Sequence, residues 1–123
     1  MKSLTPARLL YLTYFILIGG PLFLLATILC CIVVIIASYV GLPASFISKT
    51  TKAWSWCCLA VSLCRVTVRG REHLPSSDAP CVVVANHQSA YDIFVLNAYI
   101  GIPFKWVMKQ ELRSIPMVGK ACE

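Results

Sequence analysis

The sequence predicts an α/β chain in three parts: a membrane-embedded helical hairpin over residues 1–44, an amphipathic interfacial helix over 45–65, and the first βαβ portion of a mostly parallel sheet over 66–123. Three observations carry this reading. Forty consecutive residues between Arg8 and Lys49 bear no charge. From Ser45 the apolar pattern becomes two-sided at helical spacing, and beyond Arg65 short apolar runs alternate with polar loops. With 59% hydrophobic and 13% charged residues in a chain of 123, disordered, collagen-like and multidomain soluble chains are excluded.

As one helix the uncharged stretch would run about 60 Å, twice the hydrocarbon thickness of a bilayer. Gly19-Gly20-Pro21 is the expected break, with Gly carrying the turn and Pro opening the next helix. Leu9 to Ile18 is then too short to span, whereas Leu22 to Val40 is long enough. Lys2 and Arg8 precede the stretch and Lys49 and Lys52 follow it, so basic residues flank both ends and a re-entrant hairpin with both ends on the cytoplasmic side satisfies them. A single span is the alternative. A signal peptide fits less well, because the apolar run continues past any cleavage site.

Between Ser45 and Arg65, Trp54, Cys57, Cys58, Val61 and Cys64 recur at helical spacing, with Lys52, Ser55 and Ser62 opposite. Trp54 and Trp56 suit the headgroup level, and Lys49 and Lys52 suit anionic lipid. A core helix of the following domain has the same pattern. The formal charge of +6 in so apolar a chain points to lipid headgroups, and with basic residues scattered and no recognition motif, no nucleic-acid partner is expected. The seven cysteines lack any C-x-x-C spacing, which argues against a metal site, and read as small buried hydrophobes in a reducing compartment.

In the last part, Val66-Thr67-Val68 is a short β-branched run and Arg69 to Pro80 a polar loop. Cys81 to Ala85 is a continuous apolar run, as in a strand buried on both faces of a parallel sheet. Ser89-x-x-Asp92 has capping-box spacing and predicts a helix, stopped by Gly101-Ile102-Pro103. Phe104 to Met108 alternates as a second strand. Asn86-His87 then falls at the carboxyl end of the first strand, where open α/β sheets bind ligands.

Five residues along one helix would set His87 and Asp92 about 140° apart, so the two side chains meet only across a turn. With His87 in the loop and Asp92 in the first helical turn, the carboxylate receives the imidazole N–H and directs the other nitrogen at a substrate hydroxyl. That is a base with its orienter and no nucleophile of its own. Taken alone, helix capping accounts for Asp92 and a hydrogen-bonded loop position for His87.

The run Asn86-His87-Gln88-Ser89-Ala90-Tyr91-Asp92 resembles the N-H-x-x-x-x-D hallmark of the glycerolipid acyltransferase family, specifically the 1-acylglycerol-3-phosphate (lysophosphatidate) acyltransferases. Upstream, Gly70-x-Glu72-x-Leu74-Pro75 is similar to that family's approach to the motif; downstream, Lys109-x-Glu111-Leu112-x-x-x-Pro116-x-x-Gly119 is similar to its K-x-E-L-x-x-x-P-x-x-G block. The resemblance implies transfer of a fatty acyl group from acyl-CoA or acyl carrier protein to the 2-hydroxyl of lysophosphatidate, with no other cofactor. His87 would be the general base and Asp92 its orienter, without a covalent acyl-enzyme. Lys109 would meet the substrate phosphate, and Asn86, Gln88 and Ser89 would shape the substrate site. A solvated surface role is the alternative for Lys109, as it is for Lys105 and Arg113; helix capping is the alternative for Ser89.

Two blocks of the family, one with a phosphate-binding Arg and one resembling Gly-Thr-Arg, have no counterpart before Glu123. A fragment or truncated product with little or no activity alone is therefore expected, because groups that hold the phosphate also position the hydroxyl. Competing functions are a non-catalytic membrane-attached module that binds lipid or a partner, and an acyltransferase acting on glycerol-3-phosphate or another lysolipid.

Overall fold

Helix α1 (Pro6–Tyr14) starts with Pro6 in its first turn, where the missing N–H has no helical partner to lose. The computed structural model describes residues 5–76, 80–86, 88–102, 104–107 and 110–121. A π-helical turn (Phe15–Gly19) leads directly from α1 into α2 (Gly20–Val40), so that Pro6–Val40 is one apolar helix of 35 residues. Helix α3 (Ala44–Val61) folds back along it. Helix α4 (Tyr91–Tyr99) packs on α3, and α5 (Val118–Ala121) is a single short turn. Two 3-10 turns, Arg71–His73 and Gln110–Ser114, lie in the connections.

The expected break at Gly19-Gly20-Pro21 does not occur: Gly19 and Gly20 are both right-handed helical, at φ −61° and −63°. The wide π turn relieves the clash that Pro21 would otherwise make with the preceding turn. The glycines serve close approach instead of reversal. A Cβ on Gly20 would lie 2.9 Å from the Phe15 carbonyl oxygen, and one on Gly19 would lie 3.0 Å from the Phe15 ring. Gly20→Ala is therefore expected to destabilise the protein by about 1–3 kcal/mol, seen as a lower midpoint of thermal unfolding in detergent; an unchanged midpoint would contradict this packing.

The chain reverses at Gly41. Gly41 is left-handed (φ 75°), its N–H bonds to the Ser38 carbonyl at 3.2 Å, and the Leu42 N–H bonds to the Ala37 carbonyl at 2.8 Å. This is a Schellman ending, and Pro43 follows to open α3. The two helices are then joined along their length in antiparallel register. The Trp54 indole N–H donates to Thr27 Oγ1 (3.2 Å), the Tyr14 hydroxyl to the Val61 carbonyl (2.9 Å) and the Tyr11 hydroxyl to the Ser62 carbonyl (3.2 Å). The tyrosines thus occupy carbonyls that the end of α3 leaves unpaired.

Helix α3 lies between α2 and α4, and its inward stripe includes Trp54, Ser55, Cys58, Leu59 and Ser62. Ser55 and Ser62 are buried and Cys57 and Cys64 exposed, the reverse of the polarity pattern read from spacing. The buried hydroxyls have partners. Asn97 donates from Nδ2 to Ser55 Oγ at 2.8 Å and to the Thr51 carbonyl at 2.9 Å, and Ser62 Oγ accepts the Tyr91 hydroxyl. Among the described residues the cluster between α3 and α4 is small: Cys58, Leu59, Phe94 and Ala98, ringed by Phe23, Trp54 and Tyr91 among others, with Cys31, Val34 and Ala37 buried along α2. By contrast only 17% of the most apolar part of Pro6–Val40 is buried, a helix long and apolar enough to cross a membrane.

The α/β assignment is overturned. Among the described residues the chain is helical with no strand, and so without the βαβ unit and parallel sheet. Cys81 to Ala85 carries no regular structure, and Val82 and Val84 are each 89% exposed, where a strand buried on both faces would hide them. Residues 104–107 form no ladder either, and Val107 is fully exposed. A helix closes its hydrogen bonds within itself, whereas a β-prone run becomes a strand only when a second run lies alongside. Residues 81–86 and 104–107 do not pair, so local preference alone leaves both irregular.

Candidate functional site

The first turn of α4 is built by a reciprocal cap. Ser89 Oγ accepts the Tyr91 N–H at 3.2 Å, and the Ser89 carbonyl accepts the Asp92 N–H at 3.0 Å. Asp92 reaches back, and its Oδ2 accepts the N–H groups of Gln88 (2.8 Å) and Ser89 (2.9 Å). Half of the capping box that Ser89-x-x-Asp92 predicts is made: the carboxylate takes the Ser89 N–H, while Ser89 Oγ takes the N–H of Tyr91 and not that of Asp92. Both carboxylate bonds are charge-assisted, and the negative charge lies at the positive end of the helix dipole.

The segment 88–92 therefore folds as a tight turn with a half-buried carboxylate inside it. Asn86, Gln88 and Ser89 are exposed on the same loop. His87 and Lys109 lie outside the described residues. Lys105 and Arg113 are exposed. What the turn offers chemically is an anionic oxygen fixed by main-chain donors immediately after position 87, with the flanking polar side chains open to solvent.

Several contacts that hold this turn are absent from the motif reading. The Tyr91 hydroxyl donates to Ser62 Oγ at 3.2 Å, and the Tyr91 ring meets Phe94 edge-on at 6.0 Å. At the other end of α4, Arg71 Nη2 donates to the Tyr99 carbonyl at 2.8 Å, a cation on a helix C-terminus. Arg71 follows Gly70, whose left-handed φ of 79° starts the 3-10 turn within the Gly70 to Pro75 block. Nothing local signals these partners; Ser62 and Tyr91 are 29 residues apart.

A groove of about 300 Å³ opens beside α4, between Val83, Val95, Leu96 and Tyr99, with Arg69 and Arg71 also lining it. Cys58 is fully buried. Cys81, expected in a core, is exposed; Cys31 and Cys58 are buried.

This turn and its helix fall within a segment, residues 65–123, that matches the acyltransferase family model. The particular relatives share one name. The chain is 32% identical over 112 residues to a 1-acyl-sn-glycerol-3-phosphate acyltransferase of Chlamydomonas reinhardtii, covering 90% of this chain and 32% of that protein. It is 44% identical over 57 residues to a chloroplastic 1-acyl-sn-glycerol-3-phosphate acyltransferase of Brassica napus, covering 46% of this chain and 16% of the relative. A Pseudomonas aeruginosa 1-acyl-sn-glycerol-3-phosphate acyltransferase is 37% identical over 73 residues, 54% of this chain and 27% of the relative. The chain thus spans about a third of the length of the first of these and less of the others. The Chlamydomonas alignment is long enough to take in most of the helical hairpin as well as the acyltransferase segment. No solved structure matches the chain.

Proposed function

We propose that this chain is part of an enzyme that transfers a fatty acyl group from acyl-CoA or acyl carrier protein to the 2-hydroxyl of lysophosphatidate, giving phosphatidate. The observation that carries the proposal is the turn over residues 88–92, with the Asp92 carboxylate drawn back onto the amides of Gln88 and Ser89, in a segment that matches the acyltransferase family model. His87 removes the hydroxyl proton as that oxygen attacks the thioester carbonyl. When the C–S bond breaks, the imidazolium returns the proton to the departing thiolate. Asp92 orients the imidazole and stabilises its cationic form. Lys109 meets the substrate phosphate, Asn86, Gln88 and Ser89 shape the acceptor site, and no metal or further cofactor takes part.

The uncharged helix Pro6–Val40 attaches the chain to a bilayer, and the antiparallel return of α3 brings residues 65–123 back to the side on which the chain starts, the cytoplasmic face. Exposed Leu24, Ile36 and Val40 suit a lipid environment, and the exposed Lys49 and Lys52 suit the headgroup level.

Substituting His87→Ala is expected to lower acyl transfer to lysophosphatidate by about 10²–10⁴-fold while leaving sedimentation with phospholipid vesicles unchanged. The assay follows labelled acyl-CoA into phosphatidate. Equal turnover in parent and variant would overturn the acid–base assignment and favour a non-catalytic, lipid-binding module.

A further inference from the structure

We infer that Tyr91 is a positioning residue that ties the catalytic turn to the membrane hairpin through Ser62, an inference that rests on the acyltransferase reading of that turn. Tyr91 is the first residue of α4 and immediately precedes Asp92. It is held at both ends. Its N–H bonds to Ser89 Oγ, and its hydroxyl donates to Ser62 Oγ at 3.2 Å. The ring already has its packing partner in Phe94, so a phenylalanine at this position would fill the same space. What the hydroxyl adds is the link to Ser62, beside the Tyr11 hydroxyl that it also approaches.

Ser62 is a firm anchor. It is 4% exposed at the end of α3, where Leu63 turns left-handed at φ 54°. There the Leu63 N–H bonds to the Ala60 carbonyl and the Cys64 N–H to the Leu59 carbonyl, each at 2.9 Å. A leucine in that conformation is disfavoured, and the surrounding bonds over-determine it. The Ser62 carbonyl meanwhile accepts the Tyr11 hydroxyl from the first helix of the hairpin. Ser62 thus receives the membrane helix through its main chain and the catalytic turn through its side chain. The path from bilayer to carboxylate runs Tyr11, Ser62, Tyr91, Asp92, and it sets the height of the turn above the lipid surface. Misplacement of a reacting group by about 1 Å is enough to lower rates by about 10²-fold.

The test uses the full chain in phospholipid vesicles, with Tyr91→Phe, Ser62→Ala, the double variant and Tyr14→Phe as control. Tyr14 makes the same kind of bond to the end of α3, at the Val61 carbonyl. Loss of one hydroxyl bond is expected to reduce kcat by about fivefold to tenfold with KM for lysophosphatidate unchanged, and to shift the pH profile of transfer. Hydrogen exchange at the amides of Gln88 and Ser89 should quicken in Tyr91→Phe and Ser62→Ala alike. The double variant should be no worse than either single one, and Tyr14→Phe should leave those amides as in the parent. Additive effects, or unaltered exchange at Gln88 and Ser89 in Tyr91→Phe, would overturn the inference. With a parent that binds vesicles without transferring acyl groups, the exchange data at Gln88 and Ser89 decide the linkage, unaltered exchange in Tyr91→Phe overturning it.

Discussion

Replacing Asp92 by asparagine is expected to lower acyl transfer by about 10⁴-fold, the magnitude seen where a carboxylate orienting a catalytic histidine becomes an amide. Asparagine keeps the shape, and its oxygen still accepts N–H groups from Gln88 and Ser89. It lacks the charge that stabilises an imidazolium and offers a donor where an acceptor is needed. The stability change should be small, about 1 kcal/mol for a weakened cap. Asp92→Ala removes both main-chain bonds as well, so it should quicken amide exchange over residues 88–92 in addition to abolishing turnover. The measurement pairs initial rates with thermal unfolding. Turnover of Asp92→Asn within a factor of two of the parent would reduce Asp92 to a helix cap.

Truncation of Phe94 should have the largest effect on the fold. Its ring, 9% exposed, is met edge-on by Phe23 at 5.3 Å, Trp54 at 5.0 Å and Tyr91 at 6.0 Å. One side chain of α4 therefore joins α2, α3 and the first turn of its own helix. Phe94→Ala removes the ring and leaves a cavity among three aromatics that cannot all close in, at a cost of about 3–5 kcal/mol. In the cluster formed by Cys58, Leu59, Phe94 and Ala98 that is a large part of what binds α4 to the hairpin. Thermal unfolding in detergent should show the loss, and Phe94→Leu should restore much of it. A change in midpoint no greater than that of a surface substitution would refute the central role of this ring.

The parts legible in the sequence are those governed by neighbours along the chain. The uncharged forty residues read as helix because composition and length suffice, and α4 starts where Ser89 and Asp92 place it because a capping box spans four residues. Gly19-Gly20-Pro21 misled because Gly and Pro suit a π turn as well as a reversal. Gly41-Leu42-Pro43 carries the same residue types and is where the chain turns. The strands failed for a different reason: Cys81 to Ala85 has the composition of one, but composition cannot show whether a second run lies beside it. The same limit hid the support of the candidate site. The Asn86-to-Asp92 spacing is local and readable. The bonds from Tyr91 to Ser62, from Asn97 to Ser55 and from Arg71 to the Tyr99 carbonyl join residues 28 to 42 apart and exist only once the helices have packed.

The open run from Cys81 to Asn86 has a consequence for handling the molecule. Six residues with three consecutive valines, no proline and no charge are the raw material of a cross-β stack, and Val82 and Val84 already face outward. Left bare at high concentration, such a segment seeds fibrils.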